Sequence, residues 1–510
     1  MSIIRGNAEA FSKRFVADLP TLITSVESYS EGDAIVLFKE GFTYEVAASD
    51  AVDHHLATEC GTRLRVPIQP GRRPTMEQFG VKGDGSDESA AVQAAIDFIH
   101  ENRLGELGVG DLTIKCNVVM KSDVRIVGTS IYKTKFYPFS DAPVFSVSDT
   151  VSTVRIGWRD LSIYGDSSMS SQDGISLIPM AASTWVDTVD IEDCHIQGCG
   201  RYGIDAVGAS TSGPFVQNLR TRNTVVKLCK ASALRLYGTV LECHFDNSWF
   251  SGSGSGDAEL SNVVILSDGA TQCPARVLFT GGGMGGRSHY GEDVTAFYNE
   301  GHEVQLFNGA SENAEKFVHV ARATARNFKI SNYKLASSYS ASDYIWLESV
   351  DGAEVENVAF VSGNTFDRHI NVSNTTTAVN VRIGSTTHGG AFEPDVDYIS
   401  MDNFVTVSES SEVDLPNVAT CYSLASVGGA GQNLDTINSI VSKGKTSSKH
   451  LPNTTITLVA YSGPTDPITV RSAAGNIVLS GGNYTLDDNL KSITLTWDSK
   501  RRRFIEVSRA

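Results

Sequence analysis

Carboxylates, imidazoles and guanidiniums alternate with apolar residues in four short runs, Val154–Tyr164, Val189–Gly198, Val216–Val225 and Val240–Trp249. Hydrolysis of an acetal bond needs one carboxylic acid to protonate the leaving oxygen and a second carboxylate to activate water or attack. Successive side chains of a strand face opposite ways. Leu161, Cys194, Leu219 and Cys243 are expected to form one inward column, and Ile163, Ile196, Thr221 and Phe245 the next. The outward residues are then Ser162 and Tyr164; Asp193, His195 and Gln197; Asn218, Arg220 and Arg222; Glu242, His244 and Asp246. Neighbouring strands lie about 4.8 Å apart, which puts Asp193 and Glu242, two coils distant, about 9–10 Å from each other. That is near the upper end of the roughly 6.5–9.5 Å that leaves room for an attacking water. Glu242 and Asp246, on one strand about 13 Å apart, are too distant to pair. Glu242 and Asp193 are therefore the first choice as acids and Asp246 the reserve. His195, His244, Arg220 and Arg222 would hold an anionic ligand beside them. The plainer alternative is a solvated face or a contact between copies, the default for outward charge.

Asp166 and Asp173 flank a Ser-rich insertion, Asp166–Gln172, and could wall a binding site, although turn-forming Asp is equally ordinary. Asp205, after Tyr202-Gly203-Ile204, is a weaker candidate of the same kind. The run Gly281–Gly291 lacks the Lys-Ser/Thr ending of a phosphate loop and reads as a turn. His54-His55 and the eight dispersed cysteines show no metal spacing, so neither a metal nor a cofactor is expected, and the cysteines read as small buried hydrophobes. Lys500–Arg503 reads as a hairpin turn.

These groups need a scaffold of short strands. The four runs start 35, 27 and 24 residues apart, with Asn223 and Asn247 repeating at one offset. A drifting spacing that settles near 24 suits a parallel β-helix, whose coils wrap three strands and take extra residues into turns. The stacked Asn would satisfy turn backbone groups. Similar runs recur to Gly384. One helix is expected at 87–101, with Val92, Ala95, Ile96 and Ile99 on one face and Ser86 or Asp87 as its cap. Strand-like runs Ala34–Lys39, Phe42–Val46 and Arg63–Ile68 precede it, and Val66–Thr75 reads as a linker. The last sixty residues read as a compact antiparallel β-domain whose inner face is Ile456, Leu458, Ile493, Leu495 and Trp497.

Composition narrows the function classes. The chain has 510 residues and a formal charge of −17, which disfavours nucleic-acid backbones as a main partner. No apolar stretch is long enough to span a bilayer, and the first residues lack a secretory apolar run, so folding in a cytosol is expected.

The segment Phe79–Ile96, FGVKGDGSDESAAVQAAI, resembles the opening motif of pectate-lyase-like β-helix proteins, a form common in bacteriophage tailspikes. Phe79-Gly80, Gly83-Asp84-Gly85, Asp87 and Gln93-Ala94-Ala95-Ile96 carry the likeness; Gly108-Val109-Gly110-Asp111 departs from the family's usual strand entry. Gly41–Leu64 resembles the module that precedes the β-helix in phage tail proteins, and the C-terminal stretch from Asn476 resembles domains that end tail fibres. The resemblance implies an all-β chain: an N-terminal virion-attachment module (1–75), a motif and capping helix (76–104), a right-handed parallel β-helix (105–390) and a C-terminal β-domain (391–510) for trimerisation or glycan binding. It further implies a homotrimer in the virion tail, assembled in the host cytoplasm and joined to tail or baseplate through the N-terminal module. The expected activity is binding and hydrolysis of a bacterial surface polysaccharide. A non-enzymatic adhesin or a lyase are the alternatives, and neither nucleic acid nor membrane insertion is involved.

Overall fold

The computed structural model describes residues 13–52, 54–69, 71–209, 213–254, 261–268, 272–285, 295–312, 316–321, 325–337, 341–362, 366–372, 378–383, 386–389, 399–401, 404–407, 412–416, 421–426, 432–441, 455–460, 467–472, 475–487, 491–498, 501 and 503–509. The chain divides into two units, one comprising Met1–Asp205 with Val216–Val225 and the other Ala206–Phe215 with Val226–Ala510.

The first unit opens with a five-stranded sheet. Lys13–Val16 pairs in parallel with Ala34–Leu37, and Thr43–Val46, Arg63–Arg65 and Leu56–Ala57 follow antiparallel. The Val66–Thr75 segment is docked rather than a free linker: Pro74 is buried, its carbonyl accepts from Gly108 N at 2.8 Å, and Thr75 bridges to Gly108.

The helix spans Ser89–Glu101 and buries Val92, Ala95, Ile96, Phe98 and Ile99. Its N-cap is Glu88, one residue beyond the expected Ser86 or Asp87. Asp87 instead accepts from Ser89 N and Oγ, while Glu88 turns back to accept from Gly83 N at 2.9 Å. Gly80 (φ 89°) and Gly83 (φ 69°) sit in the left-handed region that side chains resist, which explains the glycines of the opening motif. Gln93 has an edge to close: its amide donates to Val119 O at 3.0 Å and accepts from Val119 N at 2.8 Å. Those backbone groups belong to the first strand of a ladder and would otherwise lack a partner on that side.

Three parallel ladders follow, one strand of each per coil. The first contains Gly105–Gly108, Val124–Val127, Thr153–Arg159 and Trp185–Glu192; the second contains Thr113–Lys115, Lys135–Tyr137, Ser162–Tyr164 and His195–Gln197. Val118–Val119, Phe145–Ser146 and Ile175–Leu177 form the third. This is a parallel β-helix. The second unit repeats it, with Val240–Asp246, Ala275–Thr280 and His302–Phe307 on one ladder and Ser232–Tyr237, Val263–Leu266, Thr295–Asn299, Lys316–Val320 and Ala341–Leu347 on another.

Bends between strands fall on left-handed residues, Asp160, Asp193 and Asn223 in the first unit and Asn247 and Asn308 in the second, where Asn332 and Asn357 take the same conformation within the long strands Arg326–Ser337 and Val350–Ser362. Asn and Asp tolerate this conformation better than other side chains, which is the physical basis of the Asn repeat. One expected column slips. Ile163 does pair with Ile196, so Leu161 and Cys194 align, but Val225 N donates to Cys194 O and Asn223 bonds Asp193. Thr224, not Leu219, therefore continues the Cys194 column. Both Leu219 and Thr224 are buried, so apolar pattern alone could not choose between them.

The C-terminal region is mixed rather than purely antiparallel. Phe404–Val407, Cys421–Ser426 and Thr455–Ala460 pair in parallel, and antiparallel pairing starts between Thr455–Ala460 and Ser492–Asp498. Alternation reports which face is buried, not strand direction. The expected inner face is correct: Ile456, Leu458, Ile493, Leu495 and Trp497 are buried in one core. Asp498 pairs with Arg503 across the expected basic hairpin, whose Lys500 lies outside the described residues.

Candidate functional site

In the first unit, the outer face of the second ladder carries a row of aligned polar tips. Lys115 pairs in register with Tyr137, Tyr137 stacks on Tyr164 at 5.1 Å, and Tyr164 pairs with Gln197. His195 tilts over Tyr164 at 6.2 Å. The phenyl rings pack their faces against each other along the helix axis, so the side chains offer ring edges, phenol oxygens and an amide to solvent. Burial, and then Tyr164, push the Tyr137 phenol above its ordinary pKa. Phe139, 49% exposed, follows Tyr137 just past the end of its strand.

A corner insertion walls this face, and its hydrogen bonds are built in. Asn117 accepts from Phe139 N and Ser140 N and donates to Ala142 O and Pro143 O. Asp141 accepts from Ser171 N at 2.7 Å. Asp166, exposed, accepts from Ser168 N and Oγ, and these bonds hold its carboxyl below the usual range. Gln172, fully buried, accepts from Gly200 N. Any side chain at Gly200 would strike Met169 O at 1.6 Å, so the insertion lies directly on the backbone at Gly200.

Asp173 has no exposed surface and therefore supports the wall instead of touching a ligand. Its carboxylate takes two bonds from Arg201 and one from Tyr202 N, and the same guanidinium reaches the equally buried Asp205 at 3.4 Å. The two carboxylates raise the Arg201 pKa further. This clamp was not readable from sequence: Asp173 and Asp205 stood out singly, and nothing pointed to Arg201 as the link.

The remaining expected residues divide between the units. In the first, Asp193 is a half-buried bend residue whose Oδ1 accepts from Asn223 at 3.0 Å. Arg222 is exposed and ion-paired with Glu192; Arg220 is exposed without a partner among the described residues. In the second, Glu242 has a left-handed backbone (φ 56°) and an ion pair with Arg276 at 2.8 Å. His244 and Asp246 are exposed on its strand, while Phe245 between them and Cys243 before them are buried, as the alternation requires.

The second unit holds a further group that no sequence signal marked. Tyr298, His319 and Trp346 occupy one register on three neighbouring strands. His319 stacks on Trp346 at 4.0 Å, meets Tyr298 edge-on at 5.1 Å, and bonds Glu348 through Nε2 at 2.9 Å. The three residues are far apart in sequence, and only the coil register joins them. A carboxylate-oriented imidazole of this kind can accept or deliver a proton.

No family model matches the chain, and no curated protein matches it. Among solved structures it is similar to tailspike protein gp49 of Acinetobacter baumannii bacteriophage Fri1, a capsular polysaccharide depolymerase. Identity is 13%, coverage is 76% of each chain and the TM-score is 0.50. It is also similar to PfbA, a surface adhesin of Streptococcus pneumoniae, with 12% identity over 86% of this chain and 100% of that one, TM-score 0.47. The tailspike protein of Acinetobacter phage vB_ApiP_P1 matches at 11% identity over 97% and 90%, TM-score 0.44. At these identities the likeness is one of fold.

Proposed function

We propose that this chain is a phage tailspike that binds and depolymerises a bacterial surface polysaccharide during host adsorption. The observation that carries the reading is the row Lys115, Tyr137, Tyr164 and Gln197 beside a hydrogen-bonded corner wall. Donors and acceptors repeated once per coil, about 4.8 Å apart, suit a polymer whose hydroxyls also repeat. Lys115, exposed at one end of the row, suits an anionic glycan. In the hydrolytic form of the reading, the acid/base work falls to the carboxylates singled out in the sequence, taken one at a time: Asp193 in the first unit, and Glu242 with Asp246 in reserve in the second. The column slip removes the register on which a spacing between Asp193 and Glu242 rested. In the first unit His195, Arg220, Arg222 and Asp166 are the substrate contacts of this reading and Asp173 acts through the wall; His244 is the corresponding candidate in the second unit, beside Glu242.

A second reading, an adhesin that binds without cutting, is favoured by one finding. Glu242 and Asp193 are both engaged, by Arg276 and Asn223. Incubating the purified chain with capsular polysaccharide and measuring chain length and new reducing ends separates the readings. Cleavage that falls by orders of magnitude in Glu242→Gln or Asp193→Asn, with binding kept, supports hydrolysis at these acids. Full cleavage in both variants and in Asp246→Asn removes them, and binding without cleavage leaves the adhesin. New chain ends carrying a double bond identify a lyase. The reading includes a homotrimeric virion component; a monomer in sedimentation at micromolar concentration would overturn that part.

A further inference from the structure

We propose that the strand Lys135–Tyr137 and its two corners form an anion-selective subsite on the outer face of the second ladder. Lys135 holds an acidic sugar unit there, and Tyr132 and Phe139 pack against apolar sugar faces. The proposal rests on the glycan reading above and names the class of glycan, one whose units carry carboxylates.

Burial alternates through the strand and past its end. Thr134, Phe136 and Pro138 are buried, while Lys135, Tyr137 and Phe139 between them are not, so these three share the outward face. Lys135 lies in register with Ser162, whose hydroxyl is buried beneath the Ile131 carbonyl and closed to a ligand. The Lys135 ammonium has no ion-pair partner among the described residues. Carboxylates around it are engaged: Asp111 accepts from Lys133 and Thr129, and Asp141 accepts from Ser171 N and Ser170 Oγ. The formal charge of −17 repels anions at long range, and salt screens that repulsion, so the ammonium selects at contact distance.

Tyr132 is 78% exposed and Phe139 49%. Single exposed apolar side chains are ordinary, but these two stand at either end of one strand on loops whose backbones are fixed. On one side Thr134 N donates to Ser130 O, and Ser162 Oγ to Ile131 O. On the other, Asn117 accepts from Phe139 N at 3.2 Å. Rings displayed on fixed backbone lose little freedom on binding and offer broad area to the C–H faces of a sugar.

The test titrates the full chain with hexasaccharides of hyaluronan and of polygalacturonate, each beside its carboxyl-reduced counterpart, followed by saturation-transfer NMR. At least one acidic hexasaccharide is expected to bind, and its reduced counterpart to bind about tenfold more weakly. Lys135→Gln is expected to erase that difference. Tyr132→Ala and Phe139→Ala are each expected to weaken binding about fivefold at unchanged melting temperature, and Phe139→Trp to retain it. Met180→Ala removes a comparably exposed apolar side chain (68%) elsewhere on the first unit and is expected to bind as the parent does. Equal binding of acidic and reduced forms, a preference that survives Lys135→Gln, or parental binding in both alanine variants would overturn the subsite. Should that happen while capsular polysaccharide is still bound or cut, the subsite falls and the glycan reading stands. Should neither the hexasaccharides nor capsular polysaccharide bind, both fall.

Discussion

Two outer faces of the first unit's coils use polar residues in opposite ways. On the first ladder, formal charges neutralise one another between coils. Arg125 reaches past Gly157 to Asp190 at 2.8 Å, Arg155 bonds Asp123, Arg159 and Arg73 share Glu106, and Arg222 pairs with Glu192. Gly157 makes the Arg125–Asp190 pair possible, since a Cβ there would lie 3.3 Å from the Arg125 Nε and 2.6 Å from Asp190 O. On the second ladder, the tips are Tyr137, Tyr164, Gln197 and His195, with Lys115 at one end and Lys135 in the register of His195 as cations, and no carboxylate among them. A charge paired with a neighbour is already solvated by protein and gains little from a ligand. An amide or phenol at the surface can exchange water for a sugar hydroxyl at small cost. Charge density is thus a poor guide to the binding face here, and unused hydrogen-bonding capacity a better one.

The corner clamp tests the comparison most severely. Arg201→Ala leaves two fully buried carboxylates without their cation, and breaking a buried pair costs about 3–5 kcal/mol. Chemical denaturation should show a loss of that order, with glycan binding falling as the wall loosens. A stability change under about 1 kcal/mol would show that the clamp acts as an ordinary surface pair. Next in size, Tyr164→Ala should weaken glycan binding about tenfold in an affinity titration. It should also cost about 1 kcal/mol of stability through the lost ring stack. Binding equal to the parent would remove the tyrosine face from the site.

On the charged face, Arg125→Ala should cost less than about 1 kcal/mol and leave glycan binding unchanged; a binding defect as large as that of Tyr164→Ala would abolish the contrast. The smallest effect is one of pH. The hydrogen bond and charge of Arg155 hold the Asp123 carboxyl below its ordinary range. A depressed carboxylate adds stability that is present above its unfolded pKa and lost as pH falls through the folded value. The melting-temperature difference between the parent and Asp123→Asn should therefore shrink on acidification below about pH 4. A constant difference would show that the pair contributes nothing through charge.

Local chemistry made much of the scaffold readable in the sequence. The helix follows from the 3.6-residue spacing of Val92, Ala95, Ile96 and Ile99, and the tight turn before it from glycines that alone adopt positive φ easily. The residues expected inward, Cys194, Leu219 and Cys243 included, are buried, because alternation is a property of each strand. Ser162, expected outward, is the exception, fully buried with its hydroxyl donating to Ile131 O, because a loop backbone covers it. Tertiary structure alone decided which residue of one coil lies beside which residue of the next. The register comes from backbone bonds between segments some thirty residues apart, and the turns between them absorb insertions of any length. A sequence column can therefore slip, as it did at Leu219, without exposing one apolar group. The same freedom hid the Asp173–Arg201–Asp205 clamp and the Tyr298–His319–Trp346 stack, whose members meet only when neighbouring coils are laid in register.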